Sequence, residues 1–134
     1  MRVPAPLDIS LLIMDGNAYV REGLTAAFAR QSDMHVCAEA RDGGEAVELY
    51  RRHRPDVAIM DLETPHMGGV AAIRTIRAEF PSACIVALTS NYADNINTAL
   101  EAGAQAHLLK DAHHRDLLAI VRTLGRSCRA PYPV

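Results

Sequence analysis

Four residues that can do phosphoryl chemistry stand directly behind four short apolar runs of this chain. Asp15 follows Leu11-Leu12-Ile13-Met14, Asp61 follows Val57-Ala58-Ile59-Met60, Thr89 follows Ala87-Leu88, and Lys110 follows Leu108-Leu109. An aspartate carboxylate can act as a nucleophile and carry a covalent acyl phosphate. A second carboxylate can help to hold Mg²⁺, which takes hard oxygen ligands and keeps several waters. A lysine ammonium and the metal would offset charge on the transferring phosphoryl oxygens, and a hydroxyl can donate to one of those oxygens. Taken singly, each residue caps a strand or a turn. The set is chemistry only if the fold brings all of it to one rim.

The surrounding pattern predicts such a fold. Short apolar runs, read as strands, cover Ile9–Met14, Met34–Ala38, Val57–Met60, Ala83–Leu88 and Ala106–Leu109. Most are continuously apolar, as strands covered on both faces are, whereas Met34–Ala38 is mixed and suits an edge. Between and after them lie helical stripes: Val20, Leu24, Ala27 and Phe28; Ile73, Ile76 and Phe80; Tyr92, Ile96, Ala99 and Leu100; Leu117, Val121 and Leu124. A weaker stripe, Ala46, Leu49 and Tyr50, falls within Glu45–His53. Arg54-Pro55 and Phe80-Pro81 stop helices, Gly103 suits a left-handed C-cap, and Asp111 can cap the last helix. Alternating strands and helices imply an α/β domain, an open parallel sheet covered on both faces. A closed eightfold barrel needs about 250 residues, and the chain has 134. In doubly wound sheets the sites lie outside the carboxyl ends of the strands, where Asp15, Asp61, Thr89 and Lys110 stand.

Composition excludes several classes. With 49% hydrophobic and 22% charged residues the chain reads as globular. It has no apolar run of the ~18 residues that span a bilayer and no signal-like start, so a cytoplasmic location without membrane contact is expected. The net charge of −2 gives this domain no electrostatic hold on nucleic acid. Cys37, Cys84 and Cys128 lack metal-ligand spacing, and Cys37 and Cys84 read as buried reduced thiols. His113 and His114 diverge if helical, and Arg51, Arg52 and Arg54 read as a solvated helix end. A mononucleotide-binding enzyme is disfavoured: Asp15-Gly16-Asn17-Ala18-Tyr19 is not a Ser/Thr/Gly-rich phosphate loop, and neither G-x-G-x-x-G nor G-x-x-x-x-G-K-[ST] occurs.

Several stretches resemble a known family. Leu11 to Asn17 followed by Val20-Arg21-Glu22-Gly23-Leu24 is similar to the opening of response-regulator receiver domains, especially those joined to LuxR-type helix-turn-helix outputs. Pro55 to Gly69 resembles the phosphorylation-site signature, Ala87-Leu88-Thr89-Ser90 the switch hydroxyl, and Ala99 to Ala104 with Leu108 to Ala112 the lysine segment. The resemblance implies a flavodoxin-like (βα)5 doubly wound sheet of strand order 2-1-3-4-5. It implies that Asp61 is the phosphoacceptor, Thr89 the switch hydroxyl and Lys110 the conserved lysine of the family. It also implies Mg²⁺ held by Asp15, Asp61 and the backbone carbonyl of Glu63, and a sensor histidine kinase as donor. A homodimer is expected, DNA contact only through an output domain absent from this chain, and no enzyme activity of its own. Residues 8–124 are assigned to the receiver and 125–134 to a C-terminal tail or the start of a linker.

Gly16 departs from the pattern, standing where the family has a second acidic residue that binds the metal directly. Mg²⁺ affinity is therefore expected to be weakened. Thr64 replaces the usual methionine and His107 the usual aromatic; His107 reads either as a stand-in for that aromatic or as a strand histidine without a switching duty. The Glu63 side chain reads either as a substitute metal oxygen or as a group tuning water access to the acyl phosphate. Two functions follow: a phosphorylation-driven receiver controlling transcription, or a phosphorylation-independent pseudo-receiver that acts as an interaction or dimerisation module.

Overall fold

The computed structural model describes residues 8–63, 68–90 and 92–128, the side chains of 92–96 excepted. In chain order the elements are β1 (Ile9–Met14), α1 (Ala18–Ala29), β2 (Met34–Ala40), α2 (Gly43–His53), β3 (Val57–Asp61), α3 (Gly69–Glu79), β4 (Ile85–Thr89), α4 (Tyr92–Ala102), β5 (Ala106–Leu109) and α5 (His114–Cys128). The strands form one parallel sheet in the order β2-β1-β3-β4-β5. This is the expected flavodoxin-like order.

Because side chains alternate along a strand, each central strand feeds two cores. Leu12, Met14, Ala58, Met60, Ile85 and Ala87 point to one face, under Tyr50 of α2, Ile73 and Ile76 of α3 and Ala99 of α4. Leu11, Ile13, Val57, Ile59, Val86 and Leu88 point to the other, under Leu24 and Phe28 of α1 and Leu117 and Val121 of α5. Each fully buried Leu or Ile contributes about 1.5–3 kcal/mol, so the eleven helix-facing strand positions named with 0% exposure anchor the sheet that carries the site.

Local signals explain the element ends. Asn17 caps α1, its side chain accepting from the Tyr19 and Val20 amides, and Asp42 caps α2 by accepting from Glu45. Arg54 takes the left-handed conformation (φ 46°) before Pro55 and its guanidinium lies 4.3 Å from the Phe80 ring centroid. Gly103 ends α4 at φ +122°, as the C-cap signal required. At Gly69 a Cβ would lie 2.2 Å from the Asp61 carbonyl oxygen, so only glycine lets α3 begin this close to the end of β3.

Three expectations are corrected. Asp111 does not cap the last helix: Ala112 donates to the Leu109 carbonyl in a turn, and α5 starts at His114. Gly125 to Cys128 belong to α5 rather than to a linker, because Gly125 is buried against Ile9 and the helix continues past Leu124. Cys84 is not a reduced thiol; it is disulfide-bonded to Cys128, whose Cα is 6.2 Å away, while Cys37 is a free, half-buried thiol. The second strand also runs on to Ala40, and the fourth starts at Ile85 because Ala83 turns back to the Phe80 carbonyl. Met1 to Leu7, the segment Thr64-Pro65-His66-Met67, and Arg129 to Val134 lie outside the described residues, as do the side chains of Tyr92 and Ile96. Among the described residues no helix is long and apolar enough to cross a membrane.

Candidate functional site

β1 and β3 are neighbours, while the chain leaves β1 for β2 on one side and β3 for β4 on the other. Ligand crevices form at such a reversal, outside the carboxyl ends of the strands. Asp15 is the first residue past β1, Asp61 and Thr89 are the last residues of β3 and β4, and Lys110 follows β5. Asp15, Asp61 and Thr89 are buried, with 0%, 2% and 0% exposure. Buried carboxylates need partners, since an uncompensated charge is costly to desolvate.

Lys110 supplies the compensation. Its Nζ lies 3.1 Å from Asp15 Oδ2 and 3.1 Å from Asp61 Oδ2. The other oxygens are held by the main chain: Asn17 N–H donates to Asp15 Oδ1 at 2.8 Å, and Glu63 N–H to Asp61 Oδ1 at 3.0 Å. Arg21 Nη1 donates to the Asp15 carbonyl at 2.8 Å and ties α1 to the same rim. Burial pushes the Asp61 carboxyl above the ordinary range; the Glu63 amide pulls it back, Asp15 pushes it up again, and Lys110 pulls it down without cancelling the rise. Burial alone would lower Lys110, but hydrogen bonds and charge from Asp15 and Asp61 carry it above its ordinary value. The ammonium is therefore locked in its charged form.

Thr89 does not face this triad alone. Its hydroxyl donates to Glu63 Oε1 at 2.7 Å, Ser90 N–H donates to the same oxygen at 2.5 Å, and the Ser90 hydroxyl donates to Glu63 Oε2. The Glu63 carboxylate thus bridges from the end of β3 to the end of β4. Sequence reasoning placed Glu63 at the mouth of the site but did not find this contact. Its signal is the spacing Asp61-x-Glu63, which puts the Glu63 side chain in the turn directly behind β3. His107 is half-buried on β5, and Gly16 is exposed beside Asp15.

The donor set suits a hard cation. Asp15 Oδ2 is buried and, among the described residues, makes no hydrogen bond beyond its contact with Lys110, so it keeps lone pairs for Mg²⁺, which proteins usually bind through one or two carboxylates. Gly16 adds no oxygen from a side chain, and the Glu63 carboxylate is committed to Thr89 and Ser90. Among the described residues no group of three acidic, histidine or cysteine side chains is placed to hold a metal. The residues fit Mg²⁺ with two carboxylates and no third.

Comparison with known proteins agrees with this geometry. The family model described as "Response regulator receiver domain" matches residues 11–122. The chain is 39% identical over 112 residues to the uncharacterized transcriptional regulatory protein YhcZ of Bacillus subtilis (strain 168), covering 82% of this chain and 52% of that protein. It is 41% identical over 98 residues to a protein-glutamate methylesterase/protein-glutamine glutaminase of Pyrococcus horikoshii, covering 72% of this chain but 27% of that protein. A solved LuxR-family two-component response regulator from Aurantimonas sp. SI85-9A1 superposes with a TM-score of 0.83 at 33% identity, covering 88% of this chain and 85% of that one. The chain spans about half the length of YhcZ and a quarter of the methylesterase, and the match to the latter is to its receiver portion. Receiver domains work in general by phosphorylation of an aspartate and generally bind Mg²⁺ at an acidic pocket, so the phosphorylation-independent reading is not favoured. From its sheet order, its acidic rim and the residues matched, the chain belongs to the receiver domains of two-component response regulators.

Proposed function

We propose that this receiver takes a phosphoryl group onto Asp61 from the phosphohistidine of a sensor kinase and passes the change to a transcriptional output. The observation that carries the reading is the convergence of Asp15 and Asp61 on one ammonium, each at 3.1 Å, at the carboxyl ends of β1 and β3. An oxygen of Asp61 forms the bond to phosphorus. The phosphorus–nitrogen bond breaks, and its electron pair leaves with the imidazole, which takes up a proton. The Glu63 amide, fixed on Asp61 Oδ1, holds the plane of the nucleophilic carboxylate. Lys110 remains charged at neutral pH and offsets the negative charge that accumulates on the acyl phosphate. Thr89, at the end of β4, is the hydroxyl that donates to a phosphoryl oxygen.

Asp15, Asp61 and the Glu63 carbonyl are the groups proposed to hold Mg²⁺, which when bound supplies charge neutralisation and orientation for the transfer. Gly16 weakens that affinity by removing a carboxylate. Residues 8–128 form the receiver in this reading, and kinase, homodimer partner and DNA contact through an output domain are expected by analogy with the LuxR-type relatives. The domain itself is a signalling acceptor rather than an enzyme.

The test is treatment of the purified protein with a small-molecule phosphodonor and Mg²⁺, followed by intact-mass spectrometry. One phosphoryl adduct, absent in Asp61→Asn and retained in Asp56→Asn, is expected. An adduct that persists in Asp61→Asn refutes the assignment.

A further inference from the structure

The Glu63 carboxylate gathers donors that a phosphoryl group on Asp61 would need. It takes the Thr89 hydroxyl at 2.7 Å, the Ser90 amide at 2.5 Å and the Ser90 hydroxyl on its second oxygen. Thr89 is fully buried, so its hydroxyl has no bulk water to turn to when it leaves one acceptor for another. The backbone of Glu63 meanwhile donates to Asp61 Oδ1 at 3.0 Å. One residue therefore holds the nucleophile through its amide and the switch hydroxyl through its side chain.

We propose that Glu63 is an internal stand-in for the phosphoryl group: a latch whose carboxylate occupies the β4 donors in the unmodified protein and must be displaced when Asp61 is phosphorylated. This rests on the phosphoryl-acceptor reading of Asp61. Chemically the match is close, since a carboxylate and a phosphoryl group are both anions that accept several hydrogen bonds at once. Displacement breaks the Thr89 contact and forms Thr89 to phosphoryl oxygen in its place, so the hydroxyl is satisfied in both states. The displaced carboxylate moves out to water, where Glu63 is already partly exposed. Glu63 is thus a positioning residue that acts through Thr89 and sets how readily the domain enters its modified state.

A repulsive charge beside Asp61 would also slow phosphorylation, so the test must separate a latch from a charge. Beryllofluoride, the phosphoryl mimic, is titrated with Mg²⁺ into wild type, Glu63→Ala, Glu63→Gln and Ser90→Ala, with thermal melts to establish folding. The Thr89 methyl resonance is followed in the same unmodified proteins. Losing hydrogen bonds to a charged group is worth about tenfold in an equilibrium. Glu63→Ala should therefore bind beryllofluoride about tenfold more tightly, and Glu63→Gln should fall between it and wild type. Ser90→Ala keeps the charge but removes one donor, and should tighten binding in the same direction by a smaller factor. The Thr89 resonance should shift in Glu63→Ala and in Ser90→Ala.

Unchanged or weaker binding in Glu63→Ala overturns the latch. So does tightening in both Glu63 variants equally with none in Ser90→Ala, which is the signature of charge alone. If no protein, wild type or variant, takes up beryllofluoride or a phosphoryl group, the functional reading falls. The latch falls with it, and the Thr89 resonance then reports only on the Glu63 contact, which an unshifted resonance in the variants overturns too.

Discussion

Replacing Lys110 by methionine keeps the length and apolar stem of the side chain and removes its charge. In wild type the ammonium stands 3.1 Å from each of two buried carboxylates. At an effective dielectric constant of about 20, each contact is worth about 5 kcal/mol. From this sum come several kcal/mol for desolvating the ammonium and about 2 kcal/mol for ordering a long side chain. The remaining loss is about 3–5 kcal/mol, the range measured when one partner of a buried pair is removed. Acid should shrink it. Asp61 has a raised carboxyl pKa, chiefly from burial, so the folded protein holds a proton that the unfolded chain releases. Stability from this group therefore falls as pH rises from the ordinary carboxylate range through the raised folded value. Lys110 is among the groups pulling that value down, so its removal lifts it further and extends the window upward. The raised pKa of Lys110 itself means that its contribution is complete below the ordinary lysine value and is lost only in strong alkali. Urea unfolding of wild type and Lys110→Met, at neutral pH and at about pH 4.5, measures the difference directly. A large cost at neutral pH that diminishes in acid is expected, together with loss of Asp61 labelling. A cost below about 1 kcal/mol at neutral pH, or one that does not change with pH, would refute the charge-compensation argument.

Asp61→Asn should raise the urea midpoint at neutral pH by about 1 kcal/mol equivalent, because the ionised form is disfavoured by burial and an amide can still accept from Glu63; a loss of stability there contradicts the direction of the pKa shift. Gly69→Ala should cost about 3 kcal/mol and slow Asp61 labelling, since its Cβ would meet the Asp61 carbonyl at 2.2 Å; differential scanning calorimetry with intact-mass labelling checks both. Gly16→Asp should tighten Mg²⁺ binding about tenfold by adding a charged oxygen ligand, read by isothermal titration, and lower the metal-free melting temperature by adding a third negative charge beside Asp15 and Asp61. Equal affinities in wild type and variant would show that the glycine is harmless.

What the chain alone determined is the frame and its rim. Uninterrupted apolar runs such as Leu11 to Met14 and Val57 to Met60 declare strands covered on both faces, because only such strands feed two cores. Once strands and helices alternate, a parallel sheet puts every strand's carboxyl end on the same side, so Asp15, Asp61, Thr89 and Lys110 meet there although 95 residues separate the first from the last. Gly103 as a helix stop was legible for a local reason: few residues other than glycine adopt φ +122°.

The rest depends on where helices lie and which way single side chains turn. The bond between Cys84 and Cys128 requires α5 to run four residues past Leu124, and that depends on Gly125 fitting against Ile9, a contact between the two ends of the chain. The start of α5 at His114 rather than behind Asp111 follows from the turn closed by Ala112 on Leu109, which outcompetes a favourable cap. Periodicity places Glu63 at the mouth of the site but cannot choose between rotamers. Only the packed ends of β3 and β4, with a buried hydroxyl at Thr89 and two donors at Ser90, draw its carboxylate across to β4. Backbone direction is repeated over many residues and shows in the pattern; a side chain's partner is settled by a few tenths of an ångström of packing, which no local pattern encodes.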